Sequence, residues 1–170
     1  MVTKEQILLS REKRALCQQE WLEKYHAPLV SFTLNIPGQV KQTTLYNRVH
    51  EEGLAALLEA ITVIDYEKRA LPTGSEAIIA VRMDAFMLKK YTVALEEHHP
   101  LGRLFDMDVL DADGYIVSRK QLQLPSRRCL LCNEDARICG RSQAHSIKAL
   151  VSQIEDKANE YFNAQIRTVL

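Results

Sequence analysis

Behind Thr3-x-x-Gln6, whose side chains suit a reciprocal helix cap, Leu8, Ala15, Leu22 and Tyr25 recur at helical spacing and predict a helix to about Tyr25. Arg11, Lys13, Arg14 and Glu20 fall mostly outside, so this helix reads as a cover for the core, without chemistry. After Pro28 the period shortens. Leu29 to Ile36 alternates like a strand and stops at the turn Asn35-Ile36-Pro37-Gly38. Helical spacing returns in Leu45, Val49, Ala56, Leu57 and Ala60 behind a Thr43 or Thr44 cap, with Arg48 and His50 near its start. Ile61 to about Arg69 and Ala77 to Met83 flank Pro72-Thr73-Gly74-Ser75 and predict a hairpin. Asp84 suits the N-cap of a third helix that carries Met87, Tyr91, Ala94 and Leu95 on one side and ends near His98-His99-Pro100.

The next stretch, Gly102 to Val109, reads as the central strand. A period of two sends Phe105, Met107 and Val109 to one face and Asp106 with Asp108 to the other. Tyr115 to Ser118 forms a return arm after the turn Asp111-Ala112-Asp113-Gly114, and the chain closes on a helix with Ile147, Leu150, Val151, Ile154, Ala158, Tyr161 and Phe162 on one face and Ser146 as its cap. Helices interleaved with hairpins predict an α+β fold: one domain over residues 1–170, with a mixed β-sheet and flanking helices.

Asp106 and Asp108 repel each other unless a cation sits between them. Hard oxygen donors of this kind suit Mg²⁺ or Mn²⁺ shared with substrate phosphates, which points to metal-assisted phosphoryl or nucleotidyl transfer. The same spacing also suits solvent-facing acids on an edge strand. Gly74-Ser75 upstream of an Asp-x-Asp strand loosely resembles the nucleotidyltransferase arrangement, although as local sequence the pair reads first as turn residues.

A chain of 170 residues that is 46% hydrophobic can bury one sizeable core. No run approaches a membrane span, and charges occupy the N-terminal region where an export signal would be apolar, so a cytoplasmic protein is expected. Net charge is zero, which disfavours general nucleic-acid binding. The charges are nonetheless segregated: Glu96 to Asp113 holds six acids and one arginine, whereas Ser118 to Lys148 holds seven Lys or Arg and two acids. A metal and a polyanionic substrate would jointly use such a pair of segments; mutual neutralisation across a surface is the plainer reading.

Cys129-x2-Cys132, then Cys139 and His145, supply four donors of the types zinc prefers, though the second pair sits closer than in common zinc fingers. In a reducing compartment the alternative is a loop of small apolar thiols whose arginines face an anion.

Asn35-Ile36-Pro37-Gly38, His99-Pro100-Leu101-Gly102-Arg103-Leu104-Phe105-Asp106-Met107-Asp108-Val109 and Arg128-Cys129-Leu130-x-Cys132-x3-Ala136-x2-Cys139-x-Arg141-x3-His145 together resemble, in order and over nearly the whole chain, the holo-acyl-carrier-protein synthases of citrate lyase, also called apo-citrate lyase phosphoribosyl-dephospho-CoA transferases. The resemblance implies transfer of a phosphoribosyl-dephospho-CoA group from 2'-(5''-triphosphoribosyl)-3'-dephospho-CoA to a serine of the citrate lyase acyl carrier protein (gamma chain), with release of diphosphate. It implies Asp106 and Asp108 as Mg²⁺ ligands and Arg103 as a phosphate-holding cation. His99 becomes a candidate base or a loop-orienting imidazole, and Arg128, Arg141 and His145 become contacts to the diphosphate or the dephospho-CoA portion. Two other readings stay open: a zinc-stapled binding module without catalysis, and a related transferase acting on a different carrier protein.

Overall fold

The computed structural model describes residues 1–169. Helix α1 (Lys4–Tyr25) starts on the expected reciprocal cap: Thr3 Oγ1 accepts the Gln6 N–H at 3.2 Å, and Gln6 Oε1 accepts the Thr3 N–H at 2.9 Å. Strand β1 (Leu29–Leu34), helix α2 (Thr44–Ala60), the hairpin of β2 (Val63–Leu71) and β3 (Gly74–Val81), and helix α3 (Ala85–His98) follow. Thr43 caps α2, and Asp84 Oδ1 caps α3 by accepting the Phe86 and Met87 N–H groups at 3.0 Å each. Strands β4 (Phe105–Leu110) and β5 (Ile116–Val117), the short helix α4 (Ala136–Ser142) and helix α5 (Ile147–Val169) complete the described chain.

Two local expectations change. Gly102-Arg103-Leu104 forms a 3-10 turn, and the strand begins at Phe105. Gly102 lies so close to the end of α3 that an added Cβ would collide with the Leu95 and Glu96 carbonyl oxygens, so only glycine lets the chain turn there. Helix α4 falls where the sequence reads as a loop.

The strands lie in the order β2-β3-β1-β4-β5, and every pairing is antiparallel. The α+β class is as expected, but the sheet is not mixed. Two neighbours are plain hairpins, and the connections through α2 and α3 bring β3 and β4 to either side of β1, each running opposite to it. One sheet face carries Val30, Phe32, Ala77, Ile79, Phe105, Met107 and Val109 into the main core beneath α2, α3 and α5. The other face is covered by α1, where Cys17 and Trp21 meet Leu29, Ile78, Ala80 and Leu110.

Helix faces depart from the sequence reading in an informative way. Leu8 is 57% exposed, and α1 buries Cys17 and Trp21 instead. Met87 and Tyr91 of α3 are exposed, while its polar Lys89, Thr92 and Glu96 are buried. Among the described residues no helix is long and apolar enough to cross a membrane.

His50 of α2 is almost completely buried, stacked on Phe32 with ring centroids 4.5 Å apart and Nε2 3.5 Å from the Phe32 carbonyl oxygen. Burial pushes its pKa down, so the folded state holds it neutral where the unfolded chain would protonate it. The stabilising difference is present above the unfolded value near 6.5 and is lost as pH falls toward the lowered folded value. Urea unfolding should therefore show stability declining below about pH 6.5, by at most about 1.4 kcal/mol per pH unit for this group, and His50→Phe should flatten that slope. His99, also pushed down by burial, contributes the same sign and remains in the variant.

Candidate functional site

The register of the sheet explains where the acids sit. Opposite partners in an antiparallel sheet share a face, so Glu76, Thr33 and Asp106 form one row on the α1 side; Ile78, Ser31 and Asp108 form the next, and Ala80, Leu29 and Leu110 the third. This face therefore changes from apolar to polar along the strands. The Cys17 and Trp21 end of α1 packs on the apolar rows. Its earlier turns pass over Thr33, Glu76, Asp106 and Asp108, which offer little hydrocarbon to pack against, and a cleft of about 420 Å³ opens there.

Asp106 and Asp108 form one wall of that cleft. Arg11, Arg14 and Lys41 line it as well, together with Asn35, Thr73, Gly74 and Ser75. Helix α1, read from sequence as inert, thus supplies two of the three cations. The missed signal was the spacing of Arg11 and Arg14, which share one helix side. Arg14 Nε pairs with Glu76 Oε2 at 2.9 Å, and Lys41 Nζ donates to the Ile36 carbonyl oxygen. Burial and the nearby Arg11 charge push Lys41 below the usual lysine range, and an anion in the cleft would relieve that crowding. Partial enclosure and the neighbouring Asp106 carboxylate push Asp108 up. Two crowded carboxylates on one face, with oxygen donors only, fit a hard divalent cation. The Gly74-Ser75 turn and the Asn35-Ile36 turn, separate motifs in sequence, both reach this cleft.

The outer edge of β4 is held in an unusual manner. Strand β5 pairs only with Val109 and Leu110, which leaves the edge open at residues 105–107. Side chains take the place of a strand: Glu96 Oε1 accepts the Met107 N–H at 3.1 Å, Lys89 Nζ donates to the Met107 carbonyl oxygen at 3.1 Å, and Arg127 donates to the Phe105 carbonyl oxygen. Arg127 also lies 3.1 Å from Glu96 and 3.5 Å from Asp106 Oδ1, and Arg119 pairs with Glu96 and Glu97 at 2.6 Å each. These contacts explain the buried polar face of α3. Arg127 was absent from the sequence-based set, since nothing local separates it from Arg128.

The other sequence candidates lie elsewhere. His99 Nδ1 accepts the Leu101 N–H at 3.0 Å, and its ring packs on Phe105 and Tyr161 on the core side of the sheet, outside the cleft that holds the acids. Arg103 lines a second pocket of about 250 Å³ with Asn35, Pro37, Arg127, Cys129 and His145; Asn35 and the Arg127–Asp106 contact connect it to the first. Arg128 donates to the Asn133 carbonyl oxygen at 2.5 Å, and Arg141 is exposed on α4. Cys129, Cys132, Cys139 and His145 converge, with one donor atom from each inside a set spanning 4.8 Å, and could hold a metal such as zinc.

Comparison with known proteins adds an independent finding. The profile of the family described as apo-citrate lyase phosphoribosyl-dephospho-CoA transferase matches residues 2–161. A protein of Vibrio cholerae named probable apo-citrate lyase phosphoribosyl-dephospho-CoA transferase is 44% identical over 166 residues, covering 94% of this chain and 93% of the relative. Proteins with that name, without the qualifier, are 39% identical in Citrobacter koseri (88% of this chain, 85% of the relative) and 38% identical in Escherichia coli (91% and 87%).

The Glu96 cluster generates a stability prediction. Glu96→Gln keeps an oxygen to accept the Met107 N–H but leaves Arg127, whose side chain is 17% exposed, facing no buried countercharge. We expect a loss of about 3 kcal/mol in urea unfolding at neutral pH. A loss below about 1 kcal/mol would show that the cluster is not what holds this edge.

Proposed function

Because this chain belongs to the apo-citrate lyase phosphoribosyl-dephospho-CoA transferase family, and is a transferase rather than a non-catalytic docking module, we propose that it works in the cytoplasm, moving a phosphoribosyl-dephospho-CoA group from 2'-(5''-triphosphoribosyl)-3'-dephospho-CoA to a serine of the citrate lyase acyl carrier protein. The serine Oγ–H bond breaks as Oγ bonds to the α-phosphorus, the bond between the α-phosphorus and its bridging oxygen breaks, and diphosphate leaves carrying the proton. The observation that carries this reading is the single cleft in which Asp106 and Asp108 face Arg11, Arg14 and Lys41.

Asp106 and Asp108 are the residues that would hold Mg²⁺, since both project to one face and no softer donor lines the cleft. The chemistry a bound Mg²⁺ supplies is charge neutralisation on the polyphosphate, which makes the attacked phosphorus more electrophilic. Arg11, Arg14 and Lys41 bind the departing phosphates as fixed cations, and the Gly74-Ser75 turn lets the chain approach them closely. Arg103 in the adjoining pocket takes the dephospho-CoA side of the donor, whose own diphosphate needs a second cationic seat. Arg128, Arg141 and His145 belong to the segment that forms the wall of that pocket. His99 serves by orientation: its bond to the Leu101 N–H sets the turn that leads into β4.

Intact mass of the apo carrier protein, incubated with the enzyme, the triphosphoribosyl donor and Mg²⁺, should rise by the mass of the prosthetic group. Asp106→Asn and Asp108→Asn should each slow this transfer about a hundredfold or more, with circular dichroism unchanged. Near-normal transfer by either variant would remove the metal assignment. Modification of another carrier protein in a panel, with the citrate lyase carrier left untouched, would reassign the partner while keeping the chemistry.

A further inference from the structure

The segment from Arg127 to Ser146 contains little that a hydrophobic core could hold. Cys139 is its one buried side chain among the described residues, and α4 spans only Ala136–Ser142. The segment is nonetheless folded back on itself. Cys129 N–H donates to the Glu134 carbonyl oxygen at 2.8 Å and Ala136 N–H donates to the Arg127 carbonyl oxygen at 2.9 Å, which sets the backbones of Arg128 and Asp135 side by side as an isolated antiparallel β-bridge. The tight turn so formed carries Cys129 and Cys132. Helix α4 carries Cys139, and the lead into α5 carries His145.

These three pieces of backbone meet at their four side chains. One donor atom from each lies within 4.8 Å of all the others; Cys132 Sγ is 3.4 Å from Cys139 Sγ and 3.3 Å from His145 Nε2. The edges of a tetrahedral zinc site with Zn–S near 2.3 Å and Zn–N near 2.0 Å are roughly 3.5–3.8 Å, so small adjustments bring all four donors into that shape. The cysteines are not disulfide-bonded, and three sulfurs with one imidazole form a soft set that selects zinc over the hard cation suited to Asp106 and Asp108. Four protein donors also complete the shell, which marks a structural site, with no open position for substrate. Two residues before Cys129, Arg127 leaves the turn and reaches the Phe105 carbonyl oxygen, Glu96 and Asp106.

We propose that Cys129, Cys132, Cys139 and His145 bind one structural zinc ion, and that this ion seats Arg127 on the open edge of β4 beside Asp106. The metal site stands on its own geometry; the consequence for transfer rests on the function proposed above. Zinc makes Arg127 a positioning residue: it fixes the carbonyl of Phe105 and places a cation next to one metal-binding carboxylate, without touching the reacting phosphorus.

The test uses the full chain purified without added metal or chelator. Elemental analysis should find about one zinc per chain, and Co²⁺ exchange should give the visible bands of a tetrahedral thiolate site. Cys132→Ser should lower the zinc content at least tenfold. Chelation should raise amide hydrogen exchange in residues 127–146 while leaving β1 and β3 protected. Less than about one zinc per five chains after incubation with Zn²⁺, or full zinc content in Cys132→Ser, would overturn the site. For the coupling, zinc removal and Arg127→Ala should each slow carrier modification about tenfold, and zinc removal from Arg127→Ala should cost nothing further. Fully additive losses would overturn the positioning role. Stoichiometric zinc in a protein that modifies no carrier would sustain the metal site and count against the transferase substrate assignment alone.

Discussion

A strand edge without a strand partner governs the arrangement of this molecule. The Phe105 carbonyl and both backbone groups of Met107 point away from β1 into a place where β5 does not extend, and buried backbone groups without partners are costly. Arg127, Glu96 and Lys89 answer them with side chains. The solution has consequences at both ends. Burying Glu96 requires countercharge, which Arg119 and Arg127 supply, so the basic segment that follows β5 is drawn against the acidic one that precedes it. The charge segregation seen along the sequence becomes a paired cluster in space, and Arg127 places a guanidinium beside Asp106.

The opposite side of the same strand is governed by a gradient. Leu29, Ile78, Ala80 and Leu110 give α1 an apolar footing, and two to four residues further along the strands the face turns to Asp108 and then to Thr33, Glu76 and Asp106. A helix anchored at one end and suspended over polar groups at the other must leave a cleft. Its overhanging turns present Arg11 and Arg14 to the acids. Crowded carboxylates on one wall and crowded cations on another are each unfavourable alone. Together they are the charges that the proposed metal-bound polyphosphate would neutralise.

Much of this was written locally. Caps at Thr3, Thr43 and Asp84, the hairpin about Gly74 and the strand alternation of Phe105, Met107 and Val109 are short-range facts, decided by neighbours one to four residues apart, and they appear where the sequence places them. The shared facing of Asp106 and Asp108, opposite to Phe105, Met107 and Val109, follows from that alternation alone, and the Cys-x2-Cys spacing by itself puts Cys129 and Cys132 in one turn. Periodicity failed for α3 because it counts only apolar residues, and for α1 because it set the buried face on Leu8 where Cys17 and Trp21 set it. Lys89 and Glu96 are buried by the demands of a strand edge 11 or more residues away, and Leu8 is left outside because it lies on the side of α1 opposite Cys17 and Trp21, whose face meets the sheet.

The sequence by itself determined the element types, the α+β class, the paired acids and the family resemblance, since each depends on spacing within one segment or on motifs in order along the chain. Only the tertiary structure decided that the sheet is wholly antiparallel, that α1 lends Arg11 and Arg14 to the acids, that Arg127 reaches the strand while His99 turns to the core side, and that the three cysteines and His145 gather at one point. Those outcomes depend on register and on which unpaired groups each packed element must satisfy, and such long-range obligations leave no periodic trace in the chain.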